Sequence, residues 1–296
     1  MTPKVSIILP TCDRVELLRR AVESVQRQTL RDWELIIVDN NRRSSPVVTQ
    51  SALQDLFGDV RIRVESTNAE ALTAGAVRNI GLAQVRGEWT TFLDDDDAYA
   101  PRKLERQLET ALQANAPFVL CGYAVHLPRR VRVRQTTSRE YVGDDLLWKA
   151  DWGTPFQFHR SDPACRFDET LSAGEDMHYA QIFLKRHRVD VVPNCAEALV
   201  EVYPQLNAPR VHRDGEAIWA AYRATCRLAG GRYSRDARRK FLAKGRLVRA
   251  QFGYGDWSYF TGCVYRSLQV RGWREWRLAI NATLRRTGWL KRWTVA

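Results

Sequence analysis

A chain of 296 residues and 34.1 kDa, 45% hydrophobic and 27% charged, can bury one large core or two ordinary ones, and its even composition excludes disordered and repeat architectures. No run approaches the ~18 uninterrupted apolar residues of a membrane-spanning helix, and the apolar stretch within 1–10 is too short for a signal peptide, so a cytoplasmic protein is expected. The net charge of +12 is uneven: residues 1–208 carry 26 Lys and Arg against 29 Asp and Glu, whereas residues 209–296 carry 20 against 5, and that break sets the expected domain boundary.

Residues 5–9 are a β-branched and apolar run closed by Pro10, which reads as a strand. Residues 13–28 then carry apolar side chains at helical spacing (Val15, Leu18, Ala21, Val22, Val25). Further strands are expected at 35–38, 61–65 and 89–93, with helices at 73–85 and 101–113, where Pro101 suits a first helical turn that does not need its N–H. This alternation predicts a Rossmann-like, mostly parallel α/β sheet covered on both faces. Ligands bind such sheets beyond the carboxyl ends of the strands. Pro10 to Asp13, Asp39 with Asn40, and Asp94 to Asp97 all follow strand ends.

Downstream, strands are expected at 118–126, 131–136 and 189–192 and a helix at 176–185. From residue 213, helical stripes (Ile218, Tyr222, Cys226; Ala237, Phe241, Val248, Phe252; Trp257, Phe260, Val264, Leu268; Trp276, Ile280, Leu284) predict a helical appendage, with Ser234 and Asp256 as N-caps. Six scattered cysteines without a Cys-x-x-Cys pair suggest reduced thiols, and neither a zinc site nor a disulfide frame.

Four consecutive carboxylates raise an electrostatic problem. At ~6 Å and an effective dielectric near ~20, each adjacent pair repels by roughly 3 kcal/mol. A positive group is therefore expected beside Asp94 to Asp97, or the carboxylates splay into water. On an extended chain Asp94 and Asp96 project to one side and Asp95 and Asp97 to the other, and an Asp-x-Asp pair offers the hard oxygens a divalent cation requires. Taken alone, the run also reads as a solvated acidic turn capping the next helix.

The run is not alone. Val5-Ser6-Ile7-Ile8-Leu9-Pro10-Thr11 with Asp13-Arg14, Leu35-Ile36-Ile37-Val38-Asp39, Ala76-Val77-Arg78-Asn79-Ile80-Gly81, and Gly87-Glu88-Trp89 through Asp97 resemble, in order and spacing, the nucleotide-binding half of family 2 glycosyltransferases. The resemblance implies a GT-A fold, with a nucleotide-sugar half over about 1–100, an acceptor half over about 101–208 and a basic, Trp-rich helical region over 209–296. It implies a metal-dependent, inverting enzyme using a nucleotide-diphosphate sugar, UDP-sugar favoured, and Mn2+ or Mg2+, in cell-surface polysaccharide, glycolipid or glycoconjugate synthesis. By the same resemblance Pro10, Thr11, Asp13, Asp39, Arg78, Asp94 and Asp95 bind the nucleotide sugar and Asp96 holds the metal.

Arg166-Phe167-Asp168-Glu169 with Gly174-Glu175-Asp176-Met177 resembles the acceptor segment of the same family, which implies Asp176 as the base and Glu175 as its companion on the acceptor or loop. A carboxylate can take the acceptor hydroxyl's proton as that oxygen attacks. For this pair the alternative is an acidic first helical turn favoured by the helix dipole. A third metal ligand is often a downstream histidine; His212 is the residue offered, with a surface histidine as the other reading. His178 and His187 are expected to be structural. The family usually has a second carboxylate after the Asp39 position, where this chain has Asn40-Asn41-Arg42-Arg43.

Trp148, Trp152 and Phe156 are read equally as sugar-stacking surfaces or core. The basic residues of 235–249 and the arginines interleaved with Trp273, Trp276, Trp289 and Trp293 suit a peripheral site on the inner face of an anionic membrane, a lipid-linked or saccharide acceptor, or a solvated face. A sugar-nucleotide nucleotidyltransferase would need a glycine-rich loop after the first strand, which Pro10-Thr11-Cys12-Asp13-Arg14 lacks. Nucleic-acid binding through the basic tail fits poorly with the net acidic α/β half.

Overall fold

The computed structural model describes residues 2–12, 14–40, 54–55, 58–67, 72–134, 139–204 and 214–251. Strand β1 (Val5–Thr11) lies between β2 (Trp33–Asp39) and β4 (Trp89–Phe92), parallel to both, and β3 (Ile62–Ser66) extends the parallel set beyond β2. Buried on both faces, β1 and β2 read as continuous apolar runs rather than alternating ones, as parallel central strands do.

Helix α1 (Val15–Gln26) buries Leu18, Ala21, Val22 and Val25, the spacing seen in the sequence. Thr73 caps α2 (Ala74–Leu82) by accepting from the Ala76 N–H at 3.2 Å. This helix packs closely on the sheet: a Cβ at Gly81 would stand 2.6 Å from an Ile8 methyl. Helix α3 (Lys103–Gln113) starts two residues after Pro101.

The sheet is mixed beyond β4. Its order is β3-β2-β1-β4-β9-β6-β10-β5, and β9 (Phe158–Arg160) runs antiparallel to both β4 and β6 (Phe118–Leu127). Three residues are too few for a period to register in the sequence, and the same holds for β5 (Ala98–Tyr99) and β8 (Glu140–Val142). β7 (Arg130–Arg134) hairpins onto β6, and β10 (Val191–Val202) is longer than the expected 189–192 because it pairs first with β8 and then with β6, adding β5 alongside Val200 and Glu201.

Helix α4 (Asp145–Trp148) precedes β9, and α5 (Glu175–Arg186) follows it. The C-terminal helices α6 (Gly215–Ala229) and α7 (Arg235–Gln251) pack through Tyr222 and Phe241, whose ring centroids are 4.6 Å apart. They join the main core: Tyr233 donates to Gln181 of α5 at 2.6 Å and Ser234 to Asp144 at 2.5 Å. The stripes from Phe252 onward, with Asp256 and Trp273 to Trp293, lie outside the described residues. Among the described residues no helix is long and apolar enough to cross a membrane, and Cys12, Cys121, Cys165, Cys195 and Cys226 are free thiols.

Candidate active site

The carboxyl ends of the parallel strands converge as expected. Thr11 and Asp39 are register partners at the ends of β1 and β2, Thr67 N–H donates to Asp39 C=O at 2.9 Å, and Leu93 N–H ties the end of β4 to Ile8 at 3.0 Å. Asp39 is buried there, while Pro10, opposite Val38, is half-buried.

The aspartate run turns instead of continuing the strand: Asp97 N–H donates to Asp94 C=O at 3.1 Å. The turn splays the four charges, yet the two-sided division holds, with Asp94 and Asp96 half-buried and Asp95 and Asp97 buried. Asp95 accepts from Thr11 Oγ1 at 3.0 Å and pairs with Arg14 at 3.1 Å. Asp96 pairs with the same guanidinium at 3.4 Å, and its carbonyl accepts from Arg20 at 2.5 Å. Asp97 accepts the Tyr203 N–H at 3.2 Å, which fixes the exit of β10.

Crowding remains. Burial pushes Asp95 up to about 6 against the pull of Arg14, and burial with Asp94 and Asp96 pushes Asp97 up to about 8. Asp96 is raised by burial and by Asp94. The half-buried Asp94 and Asp96 are the accessible members of the run, and their carboxylates are hard oxygen donors of the kind a divalent cation takes.

Arg78 links this rim to the acceptor segment. Buried on α2, it donates to Asp94 Oδ1 at 2.6 Å and to Glu175 Oε1 at 2.9 Å. Burial opposes its charge, but Asp94 and Glu175 outweigh that cost and raise its pKa. Its Nε is buried without a partner among the described residues.

Gly174 is the left-handed N-cap of α5 (φ +70°), and a Cβ there would meet Ala221 at 2.9 Å. That turn places Glu175 and Asp176 in the first helical turn. Asp176 Oδ1 accepts its own helix's Met177 N–H at 2.6 Å, and its carbonyl accepts from Gln157 at 3.2 Å. Burial, then the neighbouring Glu175, pushes Asp176 up to about 7, against Arg78 and the Met177 amide. A carboxylate poised there matches the task of a base at neutral pH.

Three residues given no role by the motifs turn out to organise the site. Arg14 neutralises Asp95 and Asp96. Asn79 brackets the acceptor loop, donating to Phe167 C=O at 3.0 Å and Glu169 at 2.9 Å while accepting the Phe167 N–H at 2.8 Å. Gln157, fully buried, accepts from Thr91 through its carbonyl at 2.7 Å and donates to Trp152 C=O at 2.5 Å as well as to Asp176. Arg14 and Asn79 lie within the quoted motifs, beside Asp13 and Arg78, a usable signal; nothing in the sequence marks Gln157.

Asp13, His212 and Asn41 to Arg43 lie outside the described residues. Trp152 is core, edge-on to Phe118 at 5.8 Å, and Phe156 stacks on Tyr123 at 4.2 Å. His178 is buried against Thr225 at 3.1 Å, as a structural histidine would be. His187, Asp162 and Cys165 cluster elsewhere, but Arg186 already occupies Asp162 at 2.7 Å.

Residues 6–168 match the family described as Glycosyl transferase family 2. The chain belongs to this glycosyltransferase family. Within it, this family 2 enzyme is 34% identical over 121 residues to the UDP-Glc:alpha-D-GlcNAc-diphosphoundecaprenol beta-1,3-glucosyltransferase WfgD of Escherichia coli, covering 41% of this chain and 46% of that one. The match thus spans under half the length of that curated relative.

Among solved structures, Staphylococcus aureus TarS 1-349 in complex with UDP-GlcNAc superposes with a TM-score of 0.65 at 17% identity, over 94% of this chain and 79% of that one. The mannosyltransferase PcManGT of Pyrobaculum calidifontis, in complex with GDP-Man and Mn2+, superposes at 0.61 and 14% identity, over 98% and 87%. The glycosyltransferase therefore has the GT-A fold that its first hundred residues announced.

Proposed function

We propose that this glycosyltransferase transfers a sugar from a UDP-sugar to a hydroxyl of a saccharide acceptor carried on a lipid diphosphate, with inversion at the anomeric carbon. The carrying observation is the Arg78 bridge, which holds a donor-side carboxylate and an acceptor-side carboxylate on one guanidinium. UDP-GlcNAc in the TarS complex and the diphosphoundecaprenol acceptor named for WfgD support the two substrate classes.

Thr11, Asp39 and Pro10 line the rim where the base and ribose would lie, with Asp94 toward the ribose. Asp96, with Asp94, would hold Mn2+ or Mg2+, and the ion would neutralise charge on the departing diphosphate; bound Mn2+ in PcManGT supports this choice. Asp176 accepts the acceptor hydroxyl's proton as that oxygen forms its bond to the anomeric carbon. The bond from that carbon to the diphosphate oxygen breaks, and its electron pair leaves with the nucleoside diphosphate. A single displacement with one base inverts the centre. Glu175, paired to Arg78, orients the loop and keeps a second negative charge beside Asp176, which sustains the raised pKa.

A thermal-shift panel of UDP, GDP, dTDP and CMP, each with and without Mn2+, tests the donor assignment. Stabilisation by UDP that requires Mn2+ is expected. Equal shifts with all four nucleotides, or a UDP shift indifferent to metal, would refute the donor and metal assignments.

A further inference from the structure

Strand β6 continues well past the end of β4. Val119 lies level with Phe158 and so with Thr91 of β4, one residue before β4 ends, but β6 runs on to Leu127. Since β9 is antiparallel to both, β6 and β4 point the same way; Ala98, directly after the aspartate turn, pairs with Glu201 of β10, which pairs with Ala124, so the outer half of β6 and its hairpin to β7 flank that turn. This wall is on the acceptor side: Tyr123 of β6 stacks on Phe156, adjacent to Gln157, whose amide holds the Asp176 carbonyl.

The returning strand is Arg130-Val131-Arg132-Val133-Arg134, exposed at all five positions. Its register opposes Arg134 to Tyr123, Arg132 to Val125 and Arg130 to Leu127. Residues directly opposite in an antiparallel pair share a face, so the three arginines form a row on the Tyr123 face, spaced ~7 Å apart. None of the three has an ion-pair or hydrogen-bond partner among the described residues. Charges on an edge strand do deter edge-to-edge pairing, but one would serve. A row of three unneutralised guanidinia, beginning beside the Tyr123–Phe156 stack, is complementary to a chain of phosphate oxygens.

We infer that Arg130, Arg132 and Arg134 form the subsite for the diphosphate of the acceptor, holding it along β7 while the acceptor sugar reaches Asp176. The inference rests on the proposed glycosyl transfer to a diphosphate-linked acceptor, and commits to the acceptor's own diphosphate rather than to headgroups of a membrane surface. The row is narrow, continuous with the acceptor wall, and matched to one extended anion.

The test uses octyl diphosphate as the probe, in EDTA with UDP present, and compares the full-length protein with the triple variant Arg130→Gln, Arg132→Gln, Arg134→Gln. Calorimetry is expected to show salt-sensitive binding of octyl diphosphate, weakened at least about tenfold in the variant, and little binding of octanol by either. UDP affinity with Mn2+ is expected to be equal in both proteins, which reports an intact fold and donor site. Unchanged octyl diphosphate affinity in the variant, or no binding by the parent protein, would overturn the inference while leaving UDP binding to judge the broader reading. Loss of binding to phosphatidylglycerol vesicles with octyl diphosphate affinity unmoved would assign the row to a membrane instead.

Discussion

Arg78 stands between Asp94 and Glu175, 2.6 Å from one carboxylate and 2.9 Å from the other, and so joins the two halves of the site. Removing it leaves Glu175 buried and unpaired. Arg78→Met is expected to cost about 3–5 kcal/mol in urea unfolding. Arg78→Lys should recover only part of this, because one ammonium lacks the planar fork that spans both partners.

The raised pKa of Asp176 gives the reaction a pH signature. With Asp176 pushed up to about 7 by burial and Glu175, kcat/KM is expected to rise with pH through about 7 and then level off. The limb belongs to the Glu175–Asp176 pair as a unit. Glu175→Gln removes the repulsion and should move the limb to lower pH. In the folded state Asp176 keeps a proton that the unfolded chain releases, so its contribution to stability declines as pH rises from about 4 to about 7, and Asp176→Asn should flatten that part of the unfolding profile.

Gln157 touches the base only through its backbone, so it positions rather than reacts. Gln157→Leu removes the hydrogen bonds to Trp152 and Asp176. Steady-state kinetics are expected to show kcat reduced about 10- to 100-fold, with donor KM nearly unchanged, since Thr91 bonds to the Gln157 backbone carbonyl that the variant retains.

Lys103 is fully buried, donates to Thr91 at 2.5 Å and lies 3.9 Å from the Tyr99 ring centroid, with no carboxylate beside it among the described residues. Burial lowers its pKa from 10.5 to about 7. Between those values the unfolded chain binds a proton that the folded protein does not, so stability from this site rises with pH and is lost as pH falls toward 7. Relative to Lys103→Met, the parent protein is expected to gain about 4 kcal/mol between pH 7 and pH 10 in chemical unfolding.

Much of the donor half was legible because its signals are local. The apolar runs of β1 and β2, the spacing in α1 and the aspartates after β4 each sit within a dozen residues, and their order carried the fold and the family. The expected division of Asp94 and Asp96 from Asp95 and Asp97 matches the half-buried and buried pairs, although the backbone turns where an extended chain was assumed. The bridge from Arg78 to Glu175 crosses 97 positions, and a charged helical residue looks the same whether it meets water or a buried carboxylate. Gln157 was illegible for the same reason, because its partners are backbone carbonyls brought together by β9, a strand too short to leave a period. The acceptor wall was partly legible: the strand near 131–136 was expected, but its shared face with Tyr123 depends on a register that composition does not specify.

The division of labour between Asp96 and Asp176 is the central claim, and Mn2+-dependent UDP binding measured beside sugar transfer tests it most directly. Asp96→Ala is expected to lose both the Mn2+-dependent UDP thermal shift and transfer, whereas Asp176→Asn should keep the shift and lose transfer by about 10²- to 10⁴-fold. Transfer at the parent rate in Asp176→Asn, or an undiminished Mn2+-dependent shift in Asp96→Ala, would contradict it.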